Sequence, residues 1–235
     1  MINGKSVLAI IPARGGSKEI VGKNKKLFGK KPLIAWTIEE AKKSDYIDNI
    51  IVSTDSNEIA DIAIKYGAKA PFLRPRKYAK NKSTAKEVIL HALNWFEKNS
   101  NTFDYFVYLQ PTSPFRKTIH IDESIKQLCS QTIASSIVSV RKVKDHPYWM
   151  KIIAKKGYLK NYTDDSDSYS NRQQLPKFYT VNGAIYISTW KVFIKDESFY
   201  KKKCLAYLME ETSSHDLDTM TDWHYAEYIL SRVKV

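Results

Sequence analysis

Asp216 and Asp218 are separated by a single residue, and that spacing has a defined chemistry. In an extended segment alternate side chains share a face, so the two carboxylates point one way and His215 and Leu217 the other. Two carboxylates so placed can hold one hard divalent cation, with water and phosphate oxygens completing its shell. The competing role is structural: Asp and Thr219 are good N-caps for the helix that follows, and a lone Asp-x-Asp favours the cap. A second group of chemistry-bearing residues lies near the start, in Pro12-Ala13-Arg14-Gly15-Gly16-Ser17-Lys18 and then Lys23-Asn24. Glycine lets the backbone approach a ligand closely, and consecutive amides can form an anion-binding nest. Arg14, Lys18 and Lys23 add cations for phosphate oxygens. The loop is neither a dinucleotide fingerprint nor a P-loop, because no third glycine or Gly-Lys-Ser/Thr follows. Two glycines and three cations after an apolar run favour phosphate binding over a plain basic turn.

Three further segments are weaker alone. In Gln110-Pro111-Thr112-Ser113-Pro114 the prolines fix a turn, and the Gln110 amide can face a ligand from a strand end; on spacing alone this reads as a structural turn. Arg172, in Asn171-Arg172-Gln173-Gln174-Leu175-Pro176, could clamp a carboxylate bidentately. Asn182 and Tyr186 alternate along one strand face, yet could equally be a surface residue and a core tyrosine. His91, His120, His146 and His224 lie in unrelated segments and read as surface or satisfied histidines. Cys129 and Cys204 have neither metal spacing nor a disulfide framework, which reads as free buried thiols in a reducing cytoplasm.

The elements that must position these groups alternate over the first 140 residues. Val7–Ile11, Ile50–Val52, Phe103–Leu109 and Ser136–Val140 read as strands. Pro32–Lys43, Ser56–Tyr66, Thr84–Glu97 and Ile119–Cys129 carry apolar residues at helical spacing, with Pro32 suited to a first turn and Gly67 a stop. This rhythm predicts an α/β fold, a mostly parallel sheet with helices on both faces. Ligands of such sheets bind beyond the carboxyl ends of the strands, where both loops described above fall. From Lys142 to Phe178 the chain turns polar, with one short apolar run at Met150–Ala154. We expect an excursion within one domain spanning 1–235. Patterning resumes at Tyr179, through Ala184–Ile187 and a Leu205–Met209 strand, to a helix from about Thr221 to Val233.

Composition narrows the function classes. The 235 residues are 43% hydrophobic and 27% charged, which is globular and excludes disorder and collagen-like repetition. No apolar run approaches the roughly 18 residues of a membrane span. Lys plus Arg exceeds Asp plus Glu by 38 − 25 = 13. That excess is mostly scattered lysine, whereas a nucleic-acid-binding face concentrates Arg and Lys on one element. Neither nucleic acid nor membrane is expected as a partner.

In combination the segments resemble one family. Ala9-Ile10-Ile11-Pro12-Ala13-Arg14-Gly15-Gly16-Ser17-Lys18, with Lys23-Asn24, is similar to the opening motif of the acylneuraminate cytidylyltransferases, or CMP-sialic acid synthetases, which include legionaminate and pseudaminate enzymes. The likeness continues in the family's order through Ile51–Asp55, Leu73-Arg74-Pro75, Leu109–Arg116, Arg172–Pro176, Asn182–Ile187 and Asp216-Leu217-Asp218. The resemblance implies a three-layer, Rossmann-like nucleotidyltransferase fold that is usually a homodimer, with residues 142–178 as the dimerisation element. It implies a cytoplasmic enzyme moving CMP from CTP to the anomeric hydroxyl of an acidic nine-carbon α-keto acid sugar, with Mg²⁺ as cofactor and pyrophosphate released. By the same resemblance, Ala13, Arg14, Gly15, Ser17, Lys23, Asn24 and Arg74 fall on the nucleotide side. Gln110, Arg172, Asn182 and Tyr186 match the sugar pocket, Asp216 and Asp218 the metal carboxylates, and Arg14, Lys23 and the two aspartates the catalytic set. The chain departs from the family pattern at Glu19, Val21, Asn81–Ala85 and Thr180-Val181. The alternatives are a Kdo-type cytidylyltransferase and, more distantly, a basic nucleic-acid-binding α/β protein.

Overall fold

The computed structural model describes residues 1–163, 173, 175–201 and 203–232, so the candidate Arg172 lies outside the described residues. In chain order the elements are β1 (Val7–Pro12), β2 (Leu27–Phe28), β3 (Lys31–Pro32), α1 (Leu33–Lys42), β4 (Asn49–Ser53), α2 (Asn57–Tyr66) and α3 (Ala85–Lys98). They continue with β5 (Tyr105–Tyr108), α4 (Thr118–Cys129), β6 (Ser136–Lys142), β7 (Lys151–Ile153), β8 (Leu159–Asn161), β9 (Tyr179–Thr189), α5 (Trp190–Asp196), β10 (Cys204–Leu208) and α6 (Met220–Arg232).

Local chemistry sets the helix ends. The Ser56 hydroxyl accepts from the Ile59 amide at the start of α2, and Gly67 closes the helix at φ 94°, a backbone region that side chains disfavour. Thr84 and Glu87 form a reciprocal capping box at the start of α3. Pro32 stands at the cap of α1, one position before the first turn in which it was expected.

The central sheet runs β10-β6-β9-β5-β1-β4. β1 pairs in parallel with β4 and β5, and β10 with β6, as the alternation of strands and helices predicts. β9 is the exception, antiparallel to both β5 and β6. Alternate residues of β1 enter opposite cores, which produces three layers. Val7, Ala9 and Ile11 pack with Ile34, Ile38, Ile59, Ile121 and Ile125 from α1, α2 and α4. Leu8 and Ile10 pack with Ile89, Leu93, Phe96 and Phe193 from α3 and α5. The short α5 carries no clear period in the sequence and was not anticipated. The β7–β8 hairpin forms a separate two-stranded sheet within the polar stretch 142–178.

Two expectations need correction. Cys129 and Cys204 are free but only partly buried, on the rim of the cores rather than inside them. His146 and His120 are satisfied by hydrogen bonds, but the buried Nδ1 of His91 has no partner among the described residues.

A third, smaller core matters most for the site. Ile20, Phe28, Leu33, Leu217, Trp223 and Ala226 are buried together, with Phe28 edge-on to Trp36, Phe115 and Trp223 at ring separations of 5.8, 6.0 and 5.4 Å. It gathers the first loop, the Pro111–Pro114 turn and the segment before α6 onto one support. Leu217 is fully buried in it. Leu217→Ala should therefore destabilise the protein by about 2–5 kcal/mol in a denaturant titration; a loss well under 1 kcal/mol would show that this small core does not hold the segment.

Candidate active site

The first loop leaves β1 at Pro12 and is pinned before it turns. The Ala13 amide donates to the Ser53 carbonyl at 2.9 Å, and the Gly15 amide to Asp55 Oδ1 at 2.8 Å. The second bond corrects one expectation, since the Gly15 amide is held by a carboxylate and is not free to join an anion nest. Ala13 is fully buried beneath the loop. Asn24, also buried, donates through Nδ2 to the Arg14 carbonyl at 3.0 Å, which closes the loop on itself.

Arg14, Ser17, Lys18, Lys23 and Asn24 then line one wall of a cleft of about 680 Å³. Its other walls are Arg74, Asn81 and Ser83–Ala85 on one side and Gln110–Thr112, Asp216 and Asp218 on the other. Arg14 Nη1 donates to Asn81 Oδ1 at 2.7 Å. Arg74 is held by its backbone, with its amide 2.6 Å from the Thr54 carbonyl, and is only 5% exposed. Its Nε and Nη2 have no partner among the described residues. Burial lowers its pKa, partly offset by Tyr108 and Asp55. A buried guanidinium in this condition fits an anionic or acceptor-rich ligand.

Asp216 and Asp218 flank the buried Leu217 and both line the cleft, as alternation predicts. The cap at the start of α6 belongs to other residues. Thr219 Oγ1 accepts from the Asp222 amide at 3.2 Å, while Asp222 Oδ2 accepts from the Thr219 and Asp218 amides at 2.7 and 3.2 Å. The Asp218 carboxylate is thus free of capping and lies 3.3 Å from Lys23 Nζ, which also donates to the Leu217 carbonyl at 2.6 Å. Asp216 is more enclosed. Burial, with the like charge of Asp218 beside it, raises its pKa against a lowering hydrogen bond from Thr112. Asp216 Oδ1 is buried without a partner among the described residues.

A second cleft, of about 750 Å³, opens on the far side of these carboxylates. It is lined by Asn182, Gly183 and Tyr186 of β9, by Arg141 and Lys144, and by His215, Tyr225 and Ile229, and it shares Gln110, Asp216 and Asp218 with the first. Asn182 and Tyr186 open into this one cleft, as expected, but the pleat between them is not continuous. β6 advances only from Val138 to Val140 while β9 runs from Val181 to Tyr186, so β9 bulges between them. Gly183, at φ +78°, sits in this bulge, and a Cβ there would lie 2.8 Å from Gln110 Oε1 and 3.5 Å from Asp216 Oδ2. The Asn182 amide is used internally, accepting from Ser139 Oγ at 2.6 Å and donating to Ser214 Oγ at 2.9 Å. Burial pushes the Tyr186 hydroxyl up to about 12. A third hollow, of about 290 Å³, adjoins Gln110 and Tyr186 and is walled by Tyr108, Phe193, Phe199 and Tyr200. The roles of Asp55, Asn81 and Phe199-Tyr200 were missed because each depends on an approach between distant segments.

Several known proteins share this architecture. A structure of CMP:2-keto-3-deoxy-manno-octonic acid synthetase complexed with CTP superposes with a TM-score of 0.72 at 14% identity, covering 97% of this chain and 99% of that one. A 4-diphosphocytidyl-2C-methyl-D-erythritol synthase from Anaerococcus prevotii gives 0.70 at 18% identity, covering 98% and 100%. At such identities the likeness is one of fold. The family model for the cytidylyltransferases matches residues 8–229, and the chain belongs to that family of enzymes. Among curated relatives, a CMP-N,N'-diacetyllegionaminic acid synthase of Legionella pneumophila is 38% identical over 227 residues, 95% of this chain and 96% of that one. A pseudaminic acid cytidylyltransferase of Campylobacter jejuni is 32% identical over 228 residues, 94% and 95% of the two chains. An N-acylneuraminate cytidylyltransferase of Escherichia coli is 35% identical over 220 residues, 94% of this chain but 51% of that longer protein.

The raised pKa of Asp216 gives a stability prediction with a definite sign. The folded chain binds this proton more tightly than the unfolded chain, so ionisation near neutral pH opposes folding. Asp216→Asn should raise the Tm of the ligand-free protein at pH 7. The gain should shrink as the pH falls through the folded value and vanish below the ordinary 3.8, where the carboxyl is protonated in both states. A lower Tm at pH 7 would contradict this account.

Proposed function

We propose that the enzyme transfers CMP from CTP to the anomeric hydroxyl of an acidic nine-carbon α-keto acid sugar of the neuraminic, legionaminic or pseudaminic type, releasing pyrophosphate. One observation carries the reading: two clefts, one with Arg14, Lys23 and Arg74 and one with Asn182 and Tyr186, meet at Gln110, Asp216 and Asp218. The names of the Legionella, Campylobacter and Escherichia relatives, each at least 32% identical, support the sugar class. The first cleft takes CTP, with Arg14, Ser17, Lys18 and Lys23 toward the triphosphate and Asn24 and Arg74 on the nucleotide side. The second takes the sugar, its carboxylate reserved for Arg172, with Gln110 and Tyr186 orienting the ring. The sugar oxygen forms a bond to the α-phosphorus, the bond to the bridging oxygen of pyrophosphate breaks, and the hydroxyl proton is released. Positioning and charge neutralisation carry most of such a transfer.

The residues present fit a divalent cation. The buried, unpartnered Asp216 Oδ1 and the uncapped Asp218 carboxylate are hard oxygen donors at the junction, and two carboxylates plus phosphate oxygens are the usual donor set for Mg²⁺. Asp216 and Asp218 would hold Mg²⁺, which when bound neutralises charge on the phosphates. Lys23, which lines the same cleft beside Asp218, would serve the same phosphates.

We further take residues 1–235 as one domain acting as a homodimer in the cytoplasm, where partly exposed Cys129 and Cys204 stay reduced. The β7–β8 hairpin in the 142–178 excursion supports the dimer: Ile153 and Leu159 are 75% and 72% exposed, and Trp149 and Tyr162 are exposed nearby.

Pyrophosphate release from CTP and Mg²⁺ against a panel of nine-carbon sugars, with Kdo included, tests the reading. Turnover is expected with at least one nine-carbon acid and not with Kdo, and CTP should be preferred strongly over UTP, ATP and GTP. Equal use of ATP, or no release with any sugar, would refute it. Asp218→Asn should keep its Tm, because Thr219 and Asp222 cap α6, yet lose about a hundredfold or more in kcat. A fully active variant with unchanged Mg²⁺ dependence would remove Asp218 from the reaction. Arg172→Lys should raise the sugar KM and leave the CTP KM nearly unchanged; the reverse pattern would move Arg172 to the nucleotide side.

A further inference from the structure

Arg116 lines none of the clefts, yet it is 1% exposed and carries its charge into the protein interior. Among the described residues no salt bridge answers it. Its partners are neutral: Nη1 donates to the Gln110 carbonyl at 3.0 Å and to the Ala184 carbonyl at 2.8 Å, and Nη2 donates to Thr37 Oγ1 at 2.6 Å. Burial of a guanidinium is costly and lowers its pKa, an effect that the charge of Glu40 only partly offsets. An apolar side chain would fill the same space without that cost, so the arrangement itself calls for a physical account.

The account lies in what the two carbonyls belong to. Gln110 borders all three hollows, and none of the described residues makes a hydrogen bond to its side-chain amide. Its placement is therefore dictated by its backbone and by the surface against which it rests. That surface is Gly183, where a Cβ would come within 2.8 Å of Gln110 Oε1. Ala184 follows Gly183 directly. One nitrogen atom of Arg116 thus grips both sides of the slot, the backbone that carries Gln110 and the backbone on which its amide lies. Both N–H bonds of a planar Nη1 have fixed directions, so the spacing between the two carbonyls is fixed as well. A lysine ammonium offers charge and donors without that fixed geometry.

We infer that Arg116 is a positioning residue for the sugar side of the reaction, acting through Gln110 by setting the width of the Gln110–Gly183 slot. The inference rests on the reading of Gln110 as a sugar-side residue. It distinguishes Arg116 from a residue that merely stabilises the fold, because a merely structural role would disturb both substrates alike.

The test is a double-mutant cycle of Arg116→Lys and Gln110→Ala, read as KM for the sugar, KM for CTP, and Tm. Arg116→Lys should raise the sugar KM by about tenfold while the CTP KM stays within about twofold. In the Gln110→Ala background the same change should have no further effect on the sugar KM, since the group it positions is gone. Gly183→Ala, which crowds the slot from the other side, should reproduce the sugar-selective pattern. Additive effects in the cycle, or equal rises in both KM values, overturn the inference while leaving the sugar-side reading of Gln110 intact. An unchanged sugar KM in Gln110→Ala alone overturns both. Should Arg116→Lys fail to fold, Thr37→Val frees Nη2 while keeping the arginine. The same selective rise, smaller in size, is then expected, and a loss of Tm with both KM values unmoved overturns the inference.

Discussion

The carboxylate pair, the proline turn and the first loop are all tied to Leu217. Its side chain is buried in the small core with Ile20, Phe28 and Trp223, its amide donates to the Thr112 carbonyl at 2.9 Å, and its carbonyl accepts from Lys23 at 2.6 Å. A single residue thus fastens the segment before α6 to the proline turn, to the first loop and to the helix behind. Because side chains alternate in an extended segment, burying Leu217 obliges Asp216 and Asp218 to face the cleft together. Apolar burial, a non-directional force, is here converted into the orientation of two charges. The anchor acts together with Thr112, which bonds the Asp216 carboxylate, and Lys23, which lies 3.3 Å from Asp218, to hold two like charges on one side.

The electrostatics follow from that placement. Arg14, Lys18, Lys23 and Arg74 stand on one side of the junction and two aspartates on the other, and the most buried member of each sign, Arg74 and Asp216, keeps polar atoms without partners. Each such atom costs on the order of 1–3 kcal/mol of lost solvation. A structure selected for stability alone would have paired them. They persist because the surrounding backbone, through the Arg74–Thr54 and Leu217–Thr112 bonds, leaves the side chains nowhere else to go. The unpaired atoms of Arg74 and Asp216 can therefore meet ligand charge without first giving up a protein partner, which favours an electrostatically driven transfer.

Much of this was legible in the sequence. β1, α2, α3 and α4 follow from apolar period, and the Asp216–Asp218 pair from alternation in an extended segment. What was not legible has a common cause. The Gly15 amide meets Asp55 across 40 residues, Arg14 meets Asn81 across 67, and Arg116 reaches Ala184 across 68. None of these contacts leaves a local pattern, because each partner is an ordinary polar residue in its own segment. The bulge in β9 escaped for a different reason. A period-two pattern assumes an unbroken pleat, and Asn182-Gly183-Ala184 breaks it where the glycine takes a positive φ. Gly183 could have signalled the bulge, since a glycine inside a strand often marks a close backbone approach.

The direction of β9 explains why the two halves of the site meet. In a parallel sheet, ligand-binding residues gather beyond the carboxyl ends of the strands, and Pro12–Asn24 after β1 and Gln110–Thr112 after β5 obey that rule. A strand inserted antiparallel between β5 and β6 presents its opposite end to the same edge. Tyr186 pairs with Tyr108, so running backward along β9 from that pair reaches Gly183 and Asn182 just where β5 gives way to Gln110. The beginning of β9 is therefore brought against the ends of its neighbours, and the bulge lets its backbone come within van der Waals reach of Gln110. A parallel β9 would place these residues at the far edge of the sheet, a strand's length from the carboxylates. Reversal of one strand thus joins a cleft built by loops that follow strands to a cleft built by residues within one, with Gln110, Asp216 and Asp218 at the seam.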